Sequence, residues 1–229
     1  MVNSSVKLII TIVVSIVIAI IIILFGYLIK NKSITDTESK YTHKTKFVFA
    51  KDGKSYKVHN FQDADEAANT LADINATIIK LISHLKYKYI GGGYDQKISD
   101  HNISGAIHKM LMRYNPDNIV ENSPKDKQDT SFTLNKGSTI ALCLREKDKN
   151  TNLHDTHTLL FVAIHELAHI AIDDNEHPPE FWQMFKFLLA EAEIAGIYKS
   201  KDYKNTPVHY CGMAVDYNPI YDATVSVAV

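Results

Sequence analysis

Residues 159–172 read LLFVAIHELAHIAI, and eleven of these fourteen positions are apolar. A run this apolar has no polar face, so it predicts a helix buried on every side, and its length is too short to cross a membrane. Any fold of this chain has to be built around that helix. The three exceptions are His165, Glu166 and His169. Three ionisable groups in a core helix are costly unless something compensates them, and a metal ion would do so.

The spacing supports a metal. His165 and His169 are four residues apart, so their rings project from one helical face and their nitrogens can reach one Zn²⁺ at about 2.0–2.1 Å. Glu166 lies about 100° around the helix, beside that pair. It is placed to touch a metal-bound water rather than the metal. Zinc lowers the pKa of such a water towards ~7 and polarises a bound carbonyl. Glu166 can then take the proton as general base and return it as general acid to a leaving amine. This is the HExxH arrangement of metal-dependent peptide hydrolysis.

Catalytic zinc takes three protein ligands, and His177 is the expected third. Asp173, Asp174, Asn175 and Glu176 can end the helix and turn the chain, and Pro178 restricts His177 to extended geometry. Glu191 and Glu193, on the next helix, are the rival third ligands. Asp173 and Asp174 could accept a hydrogen bond from a ligating ring. His154 and His157 read as polar residues at the helix start. Tyr210, Tyr217, His209 and Arg145 are the candidates for stabilising an oxyanion.

The N-terminus carries a second constraint. Leu8 to Ile29 is a run of 22 residues without a charge, about 33 Å long as a helix and enough to cross a hydrocarbon core. It predicts a single-pass anchor through the lipid bilayer, after a short tail over 1–7. Lys30 and Lys32 outweigh Lys7, which favours a cytoplasmic C-terminal domain. Residues 30–44 are polar and read as a linker, leaving 45–229 as one domain.

Of the 229 residues, 45% are hydrophobic, which excludes wholesale disorder. Residues 33–229 hold 22 bases and 26 acids, a net of -4, so no nucleic-acid partner is expected. Cys143 and Cys211 lie far apart and form no CxxC motif. One disulfide between them is possible but not indicated, and so few cysteines lean towards a reducing compartment.

Phe47–Lys51 and Lys54–Val58 flank Asp52-Gly53 and predict a hairpin with a two-residue turn. Asp63 with Glu66 resembles a capping box, and Leu71, Ile74, Ile78, Leu81 and Leu85 mark one face of the helix that follows. Gly91–Gly93 reads as a turn. Ile103, Ile107, Met110, Leu111 and Tyr114 predict a second helix, and 115–130 an exposed loop. Ile140, Leu142 and Leu144 alternate with smaller residues, as in a strand. Pro178-Pro179 starts another helix, with Phe181, Trp182, Phe185, Leu188, Leu189 and Ala192 facing the core. The tail from Thr206 to Val229 looks irregular.

VAIHELAHI, the nearby His177 and the following PEFW resemble the compact zincin metallopeptidases, and within them the SprT-like, WLM and YgjP-like branch. The resemblance covers about residues 158–189. NKGSTIALCLR and YCGMAVDYNP resemble segments of membrane-anchored members encoded by large DNA viruses. The glycine of the metzincin pattern HExxHxxGxxH is absent, which disfavours that group. The resemblance implies an α+β fold, with a small, mostly antiparallel sheet packed on the buried helix and further helices around it. It implies His165, His169 and His177 as ligands of one zinc ion and Glu166 as catalytic acid/base. The expected function is a membrane-anchored zinc metallopeptidase acting on a protein or peptide substrate near the membrane. The alternative is a zinc-stabilised membrane adaptor without turnover. The strand over Thr139–Arg145 is expected beside the cleft, holding substrate by strand addition.

Overall fold

The computed structural model describes residues 44–90, 101–122, 130–147, 151–172 and 174–227. The expected tail 1–7, the apolar run 8–29, the linker up to residue 43, the turn at Gly91–Gly93 and Asp173 lie outside the described residues. Among the described residues, no helix is long and apolar enough to cross a membrane. The expectation of a single-pass membrane protein with a cytoplasmic domain is corrected on that finding. The longest helix has 26 residues but carries Asp65, Glu66, Asp73, Lys80, Lys86 and Lys88.

That helix, α1 (Ala64–Tyr89), buries Leu71, Ile74, Ile78, Leu81 and Leu85, the face read from their spacing. Its N-cap residue Asp63 makes no capping hydrogen bond. The Asp63 carboxylate instead accepts from Arg145 Nη1 at 2.7 Å, and the Arg145 Nε donates to Glu121 at 2.8 Å. A buried guanidinium needs its counterions more than a helix end open to water needs its cap. Arg145 also stacks over Phe61 at 4.5 Å, so this cluster ties the start of α1 to the strands.

Helix α2 (His101–Arg113) buries Ile103, Ile107 and Met110. Helix α3 (Thr156–Ile172) occupies the centre, where Leu159, Ala163, Leu167, Ala168 and Ile170 are fully buried. It packs on α1, on α2 and on α4 (Pro179–Ile194). Helix α4 begins after Pro178 in extended geometry, and its Phe181, Phe185, Leu188, Leu189 and Ala192 are buried. Gly137 (φ 107) lets the turn before β5 lie directly against α3. A Cβ there would come within 2.9–3.1 Å of the Ile170 side chain, closer than packed atoms tolerate.

The α+β class holds, but the described strands form three small sheets rather than one. Strands β1 (Thr45–Phe49) and β2 (Ser55–His59) make the predicted hairpin. Its register pairs Phe49 with Ser55, so the loop is Ala50–Lys54 rather than two residues. Strands β3 (Ile119–Glu121), β4 (Phe132–Leu134) and β5 (Thr139–Leu142) form a mixed sheet with β5 in the middle, parallel to β3 and antiparallel to β4. Part of the expected 115–130 loop is therefore β3. Strand β5 is paired on both sides and has no edge to offer a peptide, which removes the strand-addition role expected for Thr139–Arg145. Strands β6 (Val208–Tyr210) and β7 (Met213–Val215) form a hairpin in the tail that was expected to be irregular.

The cysteines also depart from expectation. Cys143, just after β5, is disulfide-bonded to Cys211 in the β6–β7 turn, with Cα atoms 6.2 Å apart across 68 residues of sequence. The pairing is tertiary, so spacing could not announce it.

Candidate metal centre and cleft

Helix α3 supplies His165, Glu166 and His169, and the turn from α3 to α4 supplies His177. One nitrogen of each of these three histidines lies within 4.8 Å of the other two. His165 Nε2 is 3.2 Å from His169 Nε2 and 3.1 Å from His177 Nε2. Three ligands around tetrahedral zinc at 2.0–2.1 Å stand about 3.3 Å apart, so this spacing fits the ion. The tautomer fits as well. His169 Nδ1 donates to the Asp174 carbonyl at 2.8 Å, which leaves the lone pair on Nε2. Of the aspartates considered for this support, Asp174 provides it, through its backbone rather than its carboxylate.

The rings are fixed by packing. His165 lies 4.7 Å from the ring of Phe181 and 5.2 Å from that of Phe185, and His169 lies 4.4 Å from Phe181. Burial, with His169 and His177 nearby, pushes the His165 pKa down to about 3. Burial likewise lowers His169 and His177. All three are thus held neutral at pH 7, the form that binds metal.

Glu166 is buried at 3% exposure, and desolvation pushes its carboxyl up to about 7 against the opposing hydrogen bond from Thr133. That bond runs from Thr133 Oγ1 on β4 to Glu166 Oε2 at 2.9 Å. A carboxyl poised near neutrality can both accept and return a proton. Thr133 went unnoticed in the sequence because a lone threonine outside any motif carries no signal. Only the pairing of β4 with β5 brings it to α3.

These groups face a cavity of about 490 Å³. Thr130–Thr133 and Met213–Tyr217 border it, and Phe161, Val162, Trp182 and Phe185 add apolar lining. Tyr210 and Tyr217 line it, so two of the four oxyanion candidates are near the centre. Tyr210 OH shares a 2.6 Å hydrogen bond with Ser131 Oγ, and Tyr217 OH donates to Asp222 at 2.9 Å. The other two candidates are elsewhere. Arg145 is committed to Glu121 and Asp63, and exposed His209 sits 3.1 Å from the Glu146 carboxylate.

The rival ligands are also placed apart from the histidines. Glu191 accepts from Lys88 and Tyr89 of α1 at 2.8 Å each and lies 2.8 Å from His84 Nε2. Glu193 accepts from Ser200 N at 2.7 Å. His154 Nε2 accepts from Cys211 N at 3.1 Å, and His157 Nε2 contacts the Lys199 carbonyl at 2.6 Å.

Residues 96–219, more than half of the chain, match the WLM domain and span both α3 and the His177 turn. The chain belongs to the WLM domain family. This family is related to the SprT-like and zincin metallopeptidases, as the HELAH helix led one to expect. The chain is 36% identical over 163 residues to an uncharacterised protein of Acanthamoeba polyphaga mimivirus, covering 71% of this chain and 78% of that one. It is 32% identical over 117 residues to an uncharacterised protein of Invertebrate iridescent virus 6, covering 48% of this chain and 65% of the relative. A third such protein, from Invertebrate iridescent virus 3, is 34% identical over 110 residues. These relatives are viral, in line with the resemblance noted for NKGSTIALCLR and YCGMAVDYNP. No solved structure matches the chain.

Proposed function

We propose that this WLM domain is a zinc-dependent peptidase that hydrolyses peptide bonds of a polypeptide substrate. The observation that carries the reading is the convergence of three histidine nitrogens beside a buried glutamate, in a cavity of about 490 Å³. His165, His169 and His177 would hold the ion. When bound, zinc acidifies water and polarises a carbonyl oxygen.

Glu166 takes the proton of the attacking water and delivers it to the leaving amine. Thr133 on β4 holds the Glu166 carboxyl in place through its hydroxyl. Among the described residues no strand pairs with the outer edge of β4, and four consecutive residues from Thr130 to Thr133 border the cavity. An extended substrate can add to that edge, a role transferred from the central β5 to β4. A site that served only to stabilise the fold would have no use for a buried glutamate aimed at the same cavity, which counts against the adaptor reading.

Elemental analysis of the full chain tests the ligands. One zinc per chain is expected, lost in His165→Ala and in His177→Ala. A zinc content unchanged in His177→Ala would overturn the ligand set. A quenched-peptide library screen, with Glu166→Gln as control, tests the chemistry. Hydrolysis that persists in that variant would overturn Glu166 as the base.

A further inference from the structure

The two lips of the cleft are held in different ways. The β4 lip belongs to the mixed sheet. The other lip is Met213–Tyr217, in and just after β7. Successive residues of a strand point to opposite faces, so a strand that borders a cavity with every residue presents its edge to it. Among the described residues, the β6–β7 ladder joins no other strand. A two-stranded hairpin on its own is marginally stable in water. A lip that must resist the pull of a substrate therefore needs anchorage from outside its own ladder.

The hairpin packs on the core through Val208, Tyr210 and Val215, and its covalent anchorage is at its turn. Cys211 (φ 50) and Gly212 (φ 81) make the hairpin turn, and Cys211 is bonded to Cys143 at the end of β5. Both cysteines are buried, at 3% and 1% exposure. The neighbouring hydrogen bonds converge on the same spot. Cys143 N donates to Ser131 Oγ at 2.9 Å, Ser131 Oγ pairs with Tyr210 OH, and Cys211 N donates to His154. The strand that carries the β4 lip and the hairpin that carries the β7 lip are thus joined covalently through β5.

We propose that the Cys143–Cys211 disulfide is a substrate-positioning device: it holds the β6–β7 hairpin at a fixed distance from β4, so that the cleft grips an extended polypeptide. The substrate part of this inference rests on the peptidase reading; the mechanical part does not. The cysteines are positioning residues and touch no reacting atom. The histidine Nε2 atoms face one another, His169 donates to the Asp174 carbonyl and Glu166 accepts from Thr133, so among the described residues these contacts come from α3, the turn after it and β4 rather than from the hairpin. Cutting the disulfide should separate grip from chemistry.

The test is the full chain carrying Cys143→Ser and Cys211→Ser together, compared with wild type in three readings. Amide exchange over Met213–Tyr217 is expected to rise about tenfold or more while α3 stays protected. Zinc should remain at one per chain. For a quenched decapeptide cleaved by wild type, KM should rise about tenfold with kcat within about threefold, the signature of lost uniform binding. Unchanged exchange in the hairpin overturns the clamp. Loosened exchange with unchanged KM overturns its role towards substrate. A wild type that holds zinc and cleaves no peptide refutes the peptidase reading and with it the substrate role, while exchange still decides the clamp. Should the double variant fail to fold, Cys143→Ala with Cys211→Ala, which puts no new hydroxyl into the core, gives the same readings.

Discussion

Glu166 and Glu191 are both glutamates buried on core helices, at 3% and 4% exposure, yet their surroundings drive them apart. Glu166 on α3 has the Thr133 hydroxyl as its side-chain donor and, among the described residues, no cationic partner, and burial lifts its pKa to about 7. Burial acts on Glu191 in the same direction, but Lys88, His84 and Tyr89 outweigh it and hold the carboxyl below its ordinary range. The difference teaches that burial alone does not set the role of a carboxylate. One supplied with a lysine ammonium and hydrogen-bond donors is a fixed anion that fastens α4 to α1. One deprived of that ammonium keeps a proton within reach of pH 7.

The largest effect expected from this contrast is on turnover. Glu166→Gln should lower kcat by about 10²–10⁴-fold in the quenched-peptide assay, with zinc retained and the melting temperature unchanged or raised. A large loss of melting temperature would mean that Glu166 holds the fold, as Glu191 does. The mirror experiment is Glu191→Gln. It should leave kcat within about twofold and cost about 2 kcal/mol in urea denaturation, because Lys88 loses its anion and the buried hydrogen-bond cluster loses its charged acceptor. Thr133→Val removes the donor that fixes Glu166 and should lower kcat by about tenfold with little change in KM, since a misplaced base acts in the transition state. An unchanged kcat would show that helix packing alone orients Glu166.

The smallest effect is in the acid limb. The folded-state pKa of Glu191 is depressed, so the stability it contributes is fully present above its unfolded pKa and is lost as pH falls through the folded one. Melting temperatures of wild type and Glu191→Gln should therefore converge as pH falls below the ordinary glutamate value of about 4.5. Parallel curves over that range would show that the Lys88–His84–Tyr89 cluster contributes nothing through the charge of Glu191.

Helix faces were legible in the sequence because their information is local. The spacing of Leu71, Ile74, Ile78, Leu81 and Leu85 needs no knowledge of the rest of the chain, nor does the excess of apolar residues around His165, Glu166 and His169. The α3–α4 turn was legible for the same reason, with Pro178 close behind His177. What could not be read depends on distant partners. Asp63 looks like a cap until Arg145 arrives from the sheet to take its carboxylate. Strand β5 alternates as if one side were free, but Ala141 and Cys143 are buried as well as Ile140 and Leu142. The β6–β7 hairpin is short, and nothing in its residues says that Cys211 will meet Cys143. Thr133 becomes part of the site only through strand pairing.

The same disulfide has a topological consequence. Cys143 and Cys211 bracket α3, the His177 turn and α4. The three histidines and Glu166 therefore lie inside one closed covalent ring, which a single break in the main chain would open but not divide. A nick in the exposed loop at Lys204 would leave two pieces still joined through sulfur, with every member of the metal centre on the same fragment.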